Sequence, residues 1–202
     1  MLPSSSVVIF DMDGTLTVPQ LDFDQIRREI GIDRASQPLL EAVETMSPPE
    51  RTRAEAVLLR HEAVAAATSV LQPGTREVLG AIRAAGWHIA LMTRNSRESV
   101  RVFVERHGLS FDLVRTREDG AVKPSPQPVH DICVTLGGRA EASWVIGDFH
   151  YDILCGAAAG ARTVLLLEPD SLRPSWADEA DFVIDRLIDL LPILGLAVRE
   201  PV

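Results

Sequence analysis

Cysteine is scarce in this 202-residue chain, which has only Cys133 and Cys155. The two lie far apart, lack the spacing of a metal site and sit in apolar, helix-like stretches. This argues against a disulfide framework, and buried free thiols are expected instead. Nothing near the N-terminus combines a basic segment with an apolar run of signal-peptide length, since Val7–Phe10 is too short. No apolar run is long enough to cross a bilayer. The cytoplasm is therefore the expected compartment. Positive charge is also in deficit, with a formal net charge of −9. Nucleic acid and anionic lipid are repelled by such a chain, so neither they nor a membrane is expected as a partner. There is no internal repeat and no low-complexity tract. With 46% hydrophobic and 24% charged residues, the composition is that of a globular protein of one domain, or one domain carrying an insertion.

Short apolar runs rich in β-branched residues punctuate the chain. Val7–Phe10 ends at Asp11, and His88–Thr93, Trp144–Asp148, Thr163–Leu167 and Phe182–Ile184 repeat the pattern, with Leu113–Val114 as a weaker sixth. Such runs read as strands buried on both faces, the usual state in a parallel sheet. Between them lie helical patterns over Thr75–Ala85, Ser96–His107, Pro128–Leu136 and Tyr151–Ala159, most stopped by a glycine. The alternation predicts an α/β fold, a Rossmann-like parallel sheet flanked by helices. One stretch breaks the rhythm. From Leu16 to Leu71 only helices are expected, over Phe23–Ile30, Gln37–Met46 and Pro49–Val70. The expected division is a core of residues 1–15 and 72–202, with a small all-helical insertion over residues 16–71. Ligands of open α/β sheets bind beyond the carboxyl ends of the strands, so an insertion launched there is placed to act as a cap.

Polar residues at those strand ends carry the chemistry. Asp11-Met12-Asp13-Gly14-Thr15-Leu16 follows the first strand. An Asp there can attack phosphorus in line, and an acid two residues on can protonate the leaving oxygen. Gly14 permits the sharp turn. Thr93, Arg94 and Asn95 follow the second strand and suit a phosphate oxygen, although a Thr/Asn helix cap would look the same. Lys123-Pro124-Ser125-Pro126 offers one ammonium on a stiffened loop. Asp148 and Asp152, four apart at the start of a helix, can face one way, and hard carboxylate oxygens suit Mg²⁺. Four acids and a phosphate dianion cannot share a site unaided. Their charge calls for a divalent cation, for Lys123 and for a protonated Asp13.

Together these segments resemble the haloacid-dehalogenase-like hydrolase superfamily, in its phosphoglycolate-phosphatase-like branch. DMDGTL is similar to the first motif, LMTRN to the second, KPSP to the third and IGDFHYDILCGAAAGARTV to the fourth. The resemblance implies Asp11 as nucleophile and metal ligand, and Asp13 as acid/base with its backbone carbonyl on Mg²⁺. It implies Thr93 on the phosphate, Lys123 neutralising the nucleophile and phosphoryl group, Asp148 on the metal and Asp152 supporting it. A small-molecule phosphate ester is the implied partner. Where many members carry Ser, this chain has Phe149, and His150 or ordered water is left to replace that hydroxyl. A phosphomutase of the β-phosphoglucomutase kind would use the same residues, and a non-catalytic binding protein could keep the fold. A dehalogenase does not need Asp13, and the cap of a phosphonatase supplies a lysine, which residues 16–71 lack. Arg34, Arg51 and Arg53 are expected as solvated surface residues; of the three, Arg51, on a loop after Pro48–Pro49, is the one placed to meet a further anionic group of the substrate.

Overall fold

In the computed structural model, residues 6–32, 38–168 and 171–197 are described. Six strands form one sheet: β1 (Val7–Phe10), β2 (His88–Met92), β3 (Leu113–Arg115), β4 (Trp144–Gly147), β5 (Arg162–Leu166) and β6 (Phe182–Ile184). Their order is β3-β2-β1-β4-β5-β6 and every pairing is parallel. The chain has an α/β, Rossmann-like fold, as its sequence predicts. All four residues of β1 are fully buried, which is why its run is apolar without alternation.

The described residues include eight α-helices: α1 (Phe23–Ile30), α2 (Leu39–Glu44), α3 (Pro48–Thr68), α4 (Thr75–Ala84), α5 (Arg97–His107), α6 (Gln127–Thr135), α7 (His150–Ala159) and α8 (Leu190–Ile193). Val129, Ile132 and Cys133 of α6 and Cys155 and Ala159 of α7 pack with Val7, Ile9, Ala90, Met92 and Val145 of the sheet. The C-terminal apolar run enters the same unit, as α8 packs on α4.

The chain forms two compact units. The described residues of 1–19, 70–94 and 109–202 make the sheet unit, and those of 20–69 and 95–108 make a helical unit. The division differs from the expected one at α5, which the sequence pattern assigns to the core. The reason is side-chain bonding along α3. Glu62 accepts from the Ser96 backbone N–H at 3.1 Å, Arg106 Nε donates to the Ser69 carbonyl at 3.0 Å, and His107 Nε2 lies 2.8 Å from Ser69 Oγ.

Local signals account for most helix ends. Asp22 caps α1 by accepting from the Gln25 N–H at 2.8 Å, and Gly31 closes that helix in the left-handed region. The Pro48–Pro49 pair is not a loop. It opens α3, where missing N–H groups cost nothing, and the Ser47 N–H and hydroxyl both donate to Glu50 Oε2, at 3.2 and 2.5 Å. Arg51 therefore sits on the first turn of α3, paired with Glu55 at 2.8 Å. Arg53 is exposed on the same helix. Arg34 and the start of the expected Gln37–Met46 helix lie outside the described residues.

Candidate active site

Parallel strands bring their carboxyl ends to one edge, and the sheet order puts β1 between β2 and β4. Asp11 follows β1, Thr93 follows β2 and Asp148 follows β4, so adjacent strands deliver all three. Lys123 arrives on the loop after β3. It is the single lysine among the 202 residues, and it is 4% exposed.

Lys123 Nζ donates to Asp11 Oδ1 at 2.5 Å and to Asp152 Oδ1 at 2.6 Å. Its loop is held at several points. Arg94 Nη1 donates to the Lys123 carbonyl at 2.6 Å, Cys155 Sγ to the Ser125 carbonyl at 2.9 Å, and the Ser125 N–H to the Val122 carbonyl at 2.9 Å. The Lys123–Pro124 peptide is cis. Burial pulls the Lys123 ammonium down, but the Asp11 and Asp152 carboxylates outweigh it and the net shift is upward. The lysine stays charged.

Asp11, Asp148 and Asp152 present carboxylate oxygens that all lie within 4.8 Å of one another. Thr15, fully buried, donates its hydroxyl to Asp148 Oδ1 at 3.0 Å. Asp152 accepts the Phe149 N–H at 3.3 Å on its other oxygen. Burial, then the Asp11 charge, hold the Asp148 carboxyl well above the ordinary carboxylate range. Burial raises Asp152 to about 6 against the pull of Lys123. Three carboxylates thus face one ammonium in a place that water barely reaches. The donor set is hard oxygen and the deficit is positive charge, which fits a divalent cation of the Mg²⁺ kind.

Two glycines make the approach possible. Gly14 has φ +79°, and a Cβ there would lie 2.2 Å from Asp148 Oδ2. A Cβ on Gly147 would lie 2.1 Å from Asp152 Cγ.

The other expected residues fall as follows. Asp13 is partly buried in the turn after β1, opposite Thr17 in an isolated bridge. Thr93 is buried, with its N–H on the Arg115 carbonyl at 2.9 Å. The Arg94 guanidinium lies 4.9 Å from the Tyr151 ring centre. Asn95 is buried too, but it opens the second segment of the helical unit. His150 does not turn to the carboxylates. It stacks on Trp176 with ring centres 4.6 Å apart, and its Nε2 lies 2.9 Å from Glu179 Oε2. Both cysteines are free and buried, and burial pushes the Cys155 thiol up to about 12. The sequence assigns no role at the site to Thr15, Gly147 or Cys155, although all three stand inside the segments quoted above.

The model of the haloacid dehalogenase-like hydrolase family matches residues 6–160, which span every strand end described above except those of β5 and β6. The chain belongs to the haloacid dehalogenase-like hydrolase family. A haloacid dehalogenase-like hydrolase domain-containing protein of Arabidopsis thaliana is 32% identical over 203 residues, covering 93% of this chain and 82% of that one. The pyrophosphatase PpaX of Halalkalibacterium halodurans is 26% identical, over 96% of this chain and 99% of that one. Among solved structures, a predicted phosphoglycolate phosphatase from Haemophilus somnus superimposes with a TM-score of 0.74 at 21% identity, covering 96% of this chain and all of that one. Within this haloacid dehalogenase-like chain, the matched span includes both carboxylate segments, the lysine loop and all of the helical unit. Among the described residues no helix is long and apolar enough to cross a membrane.

Proposed function

We propose that the chain is a Mg²⁺-dependent phosphatase that hydrolyses a small-molecule phosphate monoester through an aspartyl phosphate on Asp11. One observation carries this reading: a single buried ammonium joins Asp11 to Asp152 beside the Asp148 carboxylate. The hydrogen bond from Lys123 fixes one oxygen of the Asp11 carboxylate, which aims the group as attack requires.

Asp11 attacks phosphorus through a carboxylate oxygen, and the bond to the ester oxygen breaks. Asp13, two residues on, gives that oxygen its proton. Asp13 then takes a proton from water, whose oxygen attacks phosphorus and frees Asp11. Lys123 lowers the repulsion between Asp11 and the phosphoryl oxygens, and Asp152 holds the lysine there. The Thr93 hydroxyl, the Arg94 guanidinium, Asn95 and the Gly14 backbone receive the phosphate. Asp11, Asp148 and the Asp13 carbonyl would hold Mg²⁺, which would supply the positive charge a phosphate dianion needs beside these acids. The helical insertion serves as the cap domain that selects the ester, and the reaction belongs in the cytoplasm.

The test is release of inorganic phosphate from a panel of monoesters with Mg²⁺, with EDTA, and with Asp11→Asn. Turnover that needs Mg²⁺ and vanishes in the variant supports the proposal. Conversion of β-glucose 1-phosphate to the 6-phosphate without phosphate release would replace hydrolysis by a mutase reaction.

A further inference from the structure

A row of rings borders the carboxylate cluster on the sheet unit. Phe149 follows Asp148 directly, and its N–H is tied to Asp152 at 3.3 Å. Its ring meets Tyr151 at 5.0 Å and 85°, and Trp176 at 6.2 Å and 70°. These near-perpendicular contacts are the attractive edge-to-face kind. Two of the three rings carry a stacked or overlying group. Tyr151 lies under the Arg94 guanidinium, 4.9 Å from its centre, and Trp176 bears the His150 ring at 4.6 Å and 14°. Phe149 bears no such group among the described residues, and it stays 54% exposed.

The row is also continuous with the reaction centre. Arg94 bonds the Lys123 carbonyl, and Lys123 Nζ bonds Asp11. In the other direction, Phe149 Cα is one residue, about 3.8 Å, from that of Asp148, whose carboxylate lies within 4.8 Å of that of Asp11. An ester with its phosphorus at Asp11 thus has Phe149 one residue beyond the carboxylate cluster that would receive it. Cations for the phosphate and a bare ring for the alcohol make one complementary surface.

We propose that Phe149 determines specificity, and that the substrate is a phosphate monoester whose alcohol carries a planar aromatic or heteroaromatic ring stacked on Phe149. The proposal rests on the phosphatase reading above and names its substrate class. It adds no chemical step, because the same ester bond breaks and the ring leaves with the alcohol.

The experiment compares kcat/KM for benzyl phosphate, cyclohexylmethyl phosphate and ethyl phosphate. The first two alcohols are close in acidity and size but differ in flatness. The native enzyme is expected to prefer benzyl over cyclohexylmethyl phosphate by about tenfold, the worth of one aromatic pair. Phe149→Ala is expected to bring that ratio near one, Phe149→Leu to behave likewise with the volume largely kept, and Phe149→Tyr to restore the preference. A ratio untouched by Phe149→Ala and Phe149→Leu overturns the proposal. So does an equal loss on all three esters, which would make Phe149 a support for Trp176 alone. If the native enzyme hydrolyses ethyl phosphate without preferring benzyl, the phosphatase reading survives and this proposal fails. If it hydrolyses none of the three with Mg²⁺, both fail.

Discussion

Lys123 is where charge is most tightly balanced. Removing the ammonium while keeping much of the volume, as in Lys123→Met, leaves Asp11 and Asp152 buried against each other and against Asp148. Breaking a buried ion pair from one side costs about 3–5 kcal/mol. Urea unfolding of metal-free Lys123→Met is expected to show a loss of that order, and a loss under about 1 kcal/mol would mean the pair is not buried in solution. Gly14→Ala tests a different constraint. The new methyl would meet Asp148 Oδ2 at 2.2 Å from a left-handed backbone. Strain of this kind costs about 1–3 kcal/mol. Mg²⁺ titration by calorimetry should show binding weakened at least about tenfold, or about 1.4 kcal/mol, and unchanged affinity would contradict the geometry. Legibility differs sharply among these residues. Asp11 is legible because it directly follows a strand, and Lys123 because it is the chain's single lysine, on a proline-stiffened loop. The Thr15–Asp148 bond joins residues 133 apart, and no local pattern encodes it. Nor does the sequence say that His150 meets Glu179 and Trp176 rather than the Asp11, Asp148 and Asp152 cluster.

Elements follow the same division between local and non-local causes. The strands and most helices are readable because their signals are contiguous: β-branched runs, a glycine after the last turn, Asp22 before α1. Even the three-residue β3 shows as an apolar pair. Pro48–Pro49 misleads because a proline pair reads as a loop until the Ser47–Glu50 bonds show it to be a helix start. The place of α5 depends on Glu62, a carboxylate 2% exposed in the middle of a 21-residue helix. Its partner, the Ser96 N–H, lies 34 residues away. Glu62→Ala would leave that buried N–H without its acceptor, at about 1–3 kcal/mol. Glu62→Gln keeps an acceptor oxygen and should cost less. Hydrogen exchange over residues 95–108 reads the effect locally: faster exchange there in Glu62→Ala supports the account, and exchange identical to the native protein contradicts it.

For the molecule as a whole, folding has to bring like charges together, and pH exposes the consequence. Burial raises the folded Asp152 carboxyl to about 6 against an ordinary 3.8, and holds Asp148 well above the ordinary range too. A raised acid binds more protons folded than unfolded, so its contribution to stability is present at low pH and falls as pH rises through that window. The metal-free protein should lose this contribution from about pH 4 upward. Mg²⁺ competes with those protons, so its stabilisation should be larger at pH 8 than at pH 5. Thermal melts with Mg²⁺ and with EDTA at the two pH values check this, and an equal shift at both would argue against metal at these carboxylates. Asp152→Asn should flatten the metal-free profile.

The central claim is that Asp11 carries the phosphoryl group. Its most direct test is an acid quench of the enzyme within a turnover of p-nitrophenyl phosphate and Mg²⁺, followed by peptide mass mapping. The account predicts one phosphoryl group on the peptide holding Asp11, removed by hydroxylamine and absent from Asp11→Asn. A phosphoryl group on another residue, or full turnover by Asp11→Asn, would contradict it.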